Sequence, residues 1–274
     1  MISPGSIPLL RHYQPGKFIL IAGPCVVENK SISFRIAEEL LMLTEKWKVP
    51  LIFKASYRKA NRSRQDSFTG IGDEQALAVL ADIRQQLKVP VITDIHSEPE
   101  AAMAANVVDV LQIPAFLCRQ TSLLEAAAET GKWVNIKKGQ FLSASAMQFA
   151  VEKVAKMGNE QILVTERGTT FGYEDLVVDF RGLPIMRSFA PVILDCTHSL
   201  QRPNQRAGVT GGQPQLIKTI VRAGVAVGVD GLFIETHPTP QEALSDGANM
   251  LPLDQMERLL MEALSIQESL NRLS

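Results

Sequence analysis

Residues 18–55, FILIAGPCVVENKSISFRIAEELLMLTEKWKVPLIFKA, decide the fold. The stretch opens and closes on short apolar runs rich in branched side chains, FILIA at 18–22 and LIFKA at 51–55. Between them Ile32, Ile36, Leu40 and Leu43 recur at the spacing of one helix face. A strand, a helix and a second strand imply a parallel pair, because parallel neighbours need a crossover that a tight turn cannot supply. The pattern then repeats. VITDI at 91–95, VLQI at 110–113, WVNIK at 133–137, QILVT at 161–165, PVILD at 191–195 and GLFIE at 231–235 bring the strands to eight, and Leu253, Met256, Leu260 and Leu264 restore the helical spacing after the last. Eight such units in about 250 residues predict a single (β/α)8 TIM barrel. A doubly wound open sheet is the alternative that the same pattern permits.

The rest of the composition agrees with a globular α/β protein: 274 residues, 46% hydrophobic and 21% charged, with 28 Lys+Arg against 29 Asp+Glu. A balance so close to neutral, with no polybasic block, argues against nucleic acid or an anionic membrane as partner, so any phosphate must be met by a few focused cations. No apolar run approaches the length of a spanning helix, and the opening MISPGSIPLLRHYQPG lacks the basic region and long apolar stretch of an export signal. A cytoplasmic location is expected. Cys25, Cys118 and Cys196 are too few and too irregular for a disulfide framework, which fits a reducing compartment. No Ser/Gly-rich linker divides the chain, so residues 1–274 read as one catalytic domain with a short N-terminal cap at 1–16. The stretch 200–215, LQRPNQRAGVTGGQPQ, reads as a long mobile loop suited to a lid.

In such a barrel the chemistry lies at the carboxyl ends of the strands. The residues there are Cys25, Lys54 and Ser56, Asp94 and His96, Gln112, Lys137, Glu166 and Arg167, Asp195 and His198, and Glu235 and His237. Ionised groups in buried strands are costly without partners. Structural pairing of Lys with Asp and of Arg with Glu would satisfy any one of them, but it leaves unexplained why the whole set falls on one rim. Two subsets stand out. Lys54, Lys59, Arg62, Lys137 and Arg167 suit one or two phosphates, or a phosphate with a carboxylate. Cys25, His198, Glu235 and Asp246 offer a thiol, an imidazole and two carboxylates, donors for a borderline divalent ion. Their spacing does not join these four; only a shared rim would, and a lone Cys in GPC is otherwise a packed thiol. Cys196, two residues before His198, is expected in the core, one layer deeper and pointing into the barrel; Cys118 reads as structural, and His12 carries no chemical signal.

At KANRS, residues 59–63, the chain resembles the 3-deoxy-D-manno-octulosonate 8-phosphate synthase family, and the likeness runs through IAGPCVVE (21–28), FKASYRKANRS (53–63), TDIH (93–96), LQIPAFLCRQT (111–121), NIKKGQF (135–141), TERGTTFGY (165–173), DCTHSLQ (195–201) and ETHP (235–238). The resemblance implies condensation of phosphoenolpyruvate with arabinose 5-phosphate for lipopolysaccharide synthesis. It implies that Lys54, Ser56, Lys59, Gln112, Lys137 and Arg167 hold phosphoenolpyruvate. Asn61, Arg62 and Ser63 would hold the sugar, with Arg119 reaching its phosphate from a neighbouring subunit of a homotetramer. Lys59, Asp94, His96, His198 and Asp246 become the expected catalytic groups. Cys25 is similar to the first-strand Cys of the metal-dependent branch, which has Asn there in its metal-independent counterpart, and so implies one divalent ion per subunit (Zn, Fe, Mn or Co) on Cys25, His198, Glu235 and Asp246. The chain departs from the family at Gln213-Pro214, where many members have Arg shortly after the glycine pair, and at Cys196, where a small apolar residue is expected. Two rivals are a 3-deoxy-D-arabino-heptulosonate 7-phosphate synthase using erythrose 4-phosphate, whose Pro-Arg-Thr segment is replaced here by Ala60-Asn61-Arg62-Ser63, and a non-catalytic barrel that binds phosphate ligands.

Overall fold

The computed structural model describes residues 2–60, 66–203 and 211–272. Eight strands, β1 (Ile19–Gly23), β2 (Leu51–Lys54), β3 (Val91–Asp94), β4 (Val110–Ile113), β5 (Trp133–Lys137), β6 (Ile162–Glu166), β7 (Val192–Asp195) and β8 (Gly231–His237), each pair in parallel with the next. β8 closes onto β1, with Ile19 opposite Gly231 and Gly23 opposite Glu235, so the sheet is a barrel and the open-sheet alternative falls. Around it lie α1 (Lys30–Trp47), α2 (Asp73–Leu87), α3 (Glu98–Ala105), α4 (Thr121–Glu129), α5 (Met147–Lys156), α6 (Gly182–Arg187), α7 (Ile217–Val227) and α8 (Met256–Asn271). The Asn29 side chain caps α1 by accepting from the Ile32 N–H, and Ile36, Leu40 and Leu43 are its buried stripe. No helix among the described residues is long and apolar enough to cross a membrane.

The two-residue repeat of the strands sorts their side chains into two layers. Leu20, Phe53, Leu111, Val134, Val164, Leu194 and Leu232 pack outward with the helices. Ile19, Ile21, Ile52, Ile92, Val110, Trp133, Leu163, Ile193 and Phe233 pack together as the second layer, against which Ile7, Leu10 and Tyr13 of the N-terminal segment close. Continuing that inward register toward the carboxyl ends places Lys54, Asp94, Gln112, Asn135, Lys137, Thr165, Asp195 and Glu235 in the lumen, all of them buried.

Loops on the carboxyl side are built out further. Thr169–Phe171 and Asp175–Val177 form an antiparallel hairpin. The ends of the expected long loop join as a short ladder, Gln201 opposite Gly212 and Arg202 opposite Gly211. Pro214 then opens a helical turn, Pro214–Leu216, that leads into α7, the position where the fixed proline φ is an advantage. Asn61, Arg62 and Ser63, expected on the sugar, lie outside the described residues, as does the middle of 200–215.

Candidate active site

A cavity of about 1020 Å³ opens at the carboxyl ends of the strands, lined by Lys54, Lys59, Asp94, His96, Gln112, Lys137, Arg167, His198 and Asp246 among others. Its floor depends on a glycine. A Cβ at Gly23 would lie 2.0 Å from the Lys54 carbonyl oxygen, so only glycine lets β1 end tightly against β2 and carry Cys25 over the rim. The Val27 N–H donates to the Ser56 carbonyl at 2.9 Å and fixes that crossing.

Two of the cations enter the site already matched. Lys54 Nζ lies 2.5 Å from Glu235 Oε1 and donates to the Cys25 carbonyl at 2.8 Å; Lys137 Nζ lies 2.6 Å from Asp195 Oδ2. Arg167 donates to Gln201 through Nη2, while its Nη1 is buried with no hydrogen-bond partner. Burial presses the Lys137 ammonium and the Arg167 guanidinium down from their ordinary ranges. A polar chain also crosses the lumen. Thr165 Oγ1 donates to Asn135 Oδ1 at 2.7 Å, Asn135 Nδ2 to Gln112 Oε1 at 2.8 Å, Gln112 Nε2 to Asp94 Oδ1 at 2.8 Å, and Ser56 to the other Asp94 oxygen. Burial alone would raise Asp94, yet Lys54, Lys59 and Lys137 hold its carboxyl below the usual range. Asn135 and Thr165 were not among the expected residues; the inward register running from Trp133 to Lys137 is the signal that reveals Asn135.

Three residues of the second subset converge as well, with His198 outside their group. Cys25, Glu235 and Asp246 present ligand atoms within 4.8 Å of one another, and Cys25 Sγ stands 3.2 Å from Asp246 Oδ2 and 2.9 Å from Ser245 Oγ. His198 joins the group through Glu235, its Nε2 3.4 Å from Glu235 Oε2. Its Nδ1 donates to Asp195 at 2.7 Å, so Nε2 is the nitrogen that could take a metal ion, the arrangement usual for a ligating histidine. Burial and then the charges of Asp246 and Glu235 push the Cys25 thiol up. Burial also works against ionised Glu235, but His198, Lys54 and Lys59 hold it down at about 2. Glu235 Oε2 is buried without a hydrogen-bond partner. A thiol close to two carboxylates, with an imidazole nitrogen facing a carboxylate oxygen that lacks a hydrogen bond, is a donor set that fits a divalent cation.

Other expectations sort differently. Cys196 is buried as expected but not in the lumen: β7 ends at Asp195, which takes the inward position, and Cys196 packs in the layer between sheet and helices. His198 reaches the site from the helical turn His198–Leu200 rather than from a continued strand. Arg119 is exposed and does not line the cavity; its carbonyl accepts from Lys153 at 3.0 Å. Cys118 is buried, and His12 pairs with Glu45 at 2.8 Å below the barrel. His96 lines the cavity and is tied to Glu100 at 2.9 Å, a partner that the sequence did not single out.

Comparison with known proteins identifies the family. Residues 13–272 match the model of the DAHP synthetase I family. A 2-dehydro-3-deoxyphosphooctonate aldolase of Koribacter versatilis is 52% identical over 256 residues, 92% of either chain. The protein of that name from Geobacter metallireducens is 51% identical over 90% of this chain and 92% of its own, and that from Brucella ovis 53% identical over 88% and 87%. A family match that takes in the whole barrel and relatives alike over nearly their full length lead to one conclusion: the chain belongs to the DAHP synthetase I family and, within it, to the 2-dehydro-3-deoxyphosphooctonate aldolases.

Proposed function

We propose that the chain condenses phosphoenolpyruvate with D-arabinose 5-phosphate and water, releasing 3-deoxy-D-manno-octulosonate 8-phosphate and inorganic phosphate for lipopolysaccharide synthesis. The observation that carries this reading is the convergence of Lys54, Lys59, Lys137 and Arg167 on one cavity beside the Cys25, Glu235 and Asp246 group. Two phosphorylated anions repel each other, and a buried cationic floor offsets that repulsion most strongly where water is excluded.

In the reaction, C3 of phosphoenolpyruvate bonds to the aldehyde carbon, water adds at C2, and the C2–O bond to phosphate breaks. Lys54, Lys137 and Arg167 bind the phosphate and carboxylate of phosphoenolpyruvate, with Ser56 and Gln112 fixing its orientation. Burial works against the Lys59 ammonium, but the charges of Glu235, Asp246 and Asp94 outweigh it and push it up, so it stays charged and neutralises or protonates the alkoxide that develops at the aldehyde oxygen. Asp94 and His96 line the same cavity and are the groups assigned to the attacking water. Asn61, Arg62 and Ser63 take the sugar, and Arg119 of a neighbouring subunit in a homotetramer takes its phosphate. Cys25, His198, Glu235 and Asp246 would hold one divalent ion, which when bound supplies charge to orient and polarise the aldehyde oxygen. The enzyme works in the cytoplasm.

The test is phosphate release from phosphoenolpyruvate with arabinose 5-phosphate or erythrose 4-phosphate, before chelation, after it, and after divalent metal is restored. Release with arabinose 5-phosphate only, lost on chelation and regained with metal, is expected. Equal rates with both sugars would refute the substrate assignment, and full activity of verified metal-free protein would refute the metal site.

A further inference from the structure

Glu100, on α3 outside the cavity, gathers an unusual number of donors. Its Oε1 accepts from Arg58 Nη2 and, at 2.9 Å, from Ser97 Oγ, while its Oε2 accepts from the Tyr57 hydroxyl, from the His96 N–H at 2.8 Å and from His96 Nδ1 at 2.9 Å. Glu100 is buried, and these hydrogen bonds outweigh its burial to hold the carboxyl below its ordinary range. Tyr57 is fully buried and packs edge-on to the His96 ring, centroids 6.1 Å apart. The cluster thus ties the segment after β2, which leads into Lys59, to the segment after β3, which carries His96.

An ionised carboxylate only accepts, so the ring nitrogen facing it must carry hydrogen. Arg58 is shared between Glu100 and Asp73, the latter at 3.0 Å, and Asp94 is a further carboxylate whose charge interacts with the ring. We infer that Glu100 is a positioning residue: it holds His96 with its proton on Nδ1, so that the Nε2 lone pair is left to accept a hydrogen bond from water or a hydroxyl in the cavity. This rests on the function proposed above for the use to which the lone pair is put, and not for the tautomer itself. A neutral histidine fixed in one tautomer by a carboxylate can take a proton at the other nitrogen without reorienting.

The experiment is nitrogen–proton correlation NMR on protein labelled at its 4 histidines, without substrate, with His96 assigned by His96→Gln. At a pH where the ring is neutral the wild-type chain is expected to show His96 protonated on Nδ1 and bare on Nε2. Tyr57→Phe, which removes one donor to Glu100 and leaves the histidine contact, should keep that state. Glu100→Gln, whose amide can also donate, should yield a mixture of tautomers, shift the acid limb of the pH profile of kcat, and lower kcat by about tenfold, with little change in KM for phosphoenolpyruvate. A wild-type ring protonated on Nε2 would overturn the inference even if Glu100→Gln failed to fold. So would an unchanged tautomer and pH profile in folded Glu100→Gln. Because the tautomer is read without substrate, inactivity toward phosphoenolpyruvate and arabinose 5-phosphate would overturn the proposed function and leave this inference to its own result.

Discussion

The two ends of the lumen are built by the same strands in the same inward register, yet one is apolar and the other ionic. At the amino end Ile19, Ile52, Ile92, Trp133, Leu163 and Ile193 fill the barrel, closed off by Ile7. Two residues further along those strands stand Lys54, Asp94, Asn135, Thr165 and Asp195, joined to Gln112, Lys137 and Glu235. The amino end is held by close packing that any well-fitting apolar set would supply. The carboxyl end is held by mutual pairing of groups that packing alone would never select, since buried ion pairs add little over apolar residues of the same shape. The difference separates what keeps the barrel closed from what the barrel is for.

Substitutions at the two ends should therefore fail in different ways. Trp133→Ala empties the largest buried side chain of the apolar end and should cost about 3–5 kcal/mol of stability in denaturant unfolding, while the fraction that remains folded keeps near-normal KM values. An intact stability would mean that the plug is not what holds the barrel. Asp94→Asn preserves shape at the ionic end and should cost about 1–3 kcal/mol at neutral pH, because three lysines lose the carboxylate that faces them. Its pH dependence sharpens the contrast. The folded-state pKa of Asp94 lies below its unfolded value, so the stabilisation is complete above that unfolded value, near pH 4, and fades as the pH falls toward the folded one. The gap between wild type and Asp94→Asn should thus close below about pH 4, and a gap constant through that range would show that Asp94 is not ionised in the fold. The smallest effect is expected for Ile193→Val, about 0.5–1.5 kcal/mol with unaltered kinetics. A kinetic defect there would show that the two ends are coupled.

The fold was legible because branched apolar runs mark buried parallel strands; VLQI and WVNIK coincide with β4 and β5 to the residue. The hairpin at 169–177 was not, because its residues are short-paired and largely exposed, so no hydrophobic alternation betrays it. In the site, the cations and the Cys25 group stood out as charges at strand ends. Asn135 escaped notice because it lies in mid-strand, before the strand end that Lys137 marks, and Thr165 because threonine is an ordinary strand residue until its inward position is known. Glu100 escaped for another reason: its partners come from the segments after two strands, and only the folded barrel brings Tyr57, Arg58 and His96 to one carboxylate. The direction of Cys196 was misjudged because it was read together with His198; Asp195 takes the inward position of β7, and the alternation along the strand turns Cys196 outward.

The most direct measurement is calorimetric titration of phosphoenolpyruvate into wild type, Lys137→Ala and Ile193→Val. Asp195 keeps its hydrogen bond from His198 when Lys137 is removed, so the variant should fold. One site per chain is expected, with wild-type affinity in Ile193→Val and affinity weakened about 30-fold or more in Lys137→Ala, the loss of one buried charge contact worth about 2 kcal/mol. Binding undiminished in Lys137→Ala, or lost equally in Ile193→Val, would contradict the assignment of substrate binding to the ionic end of the barrel.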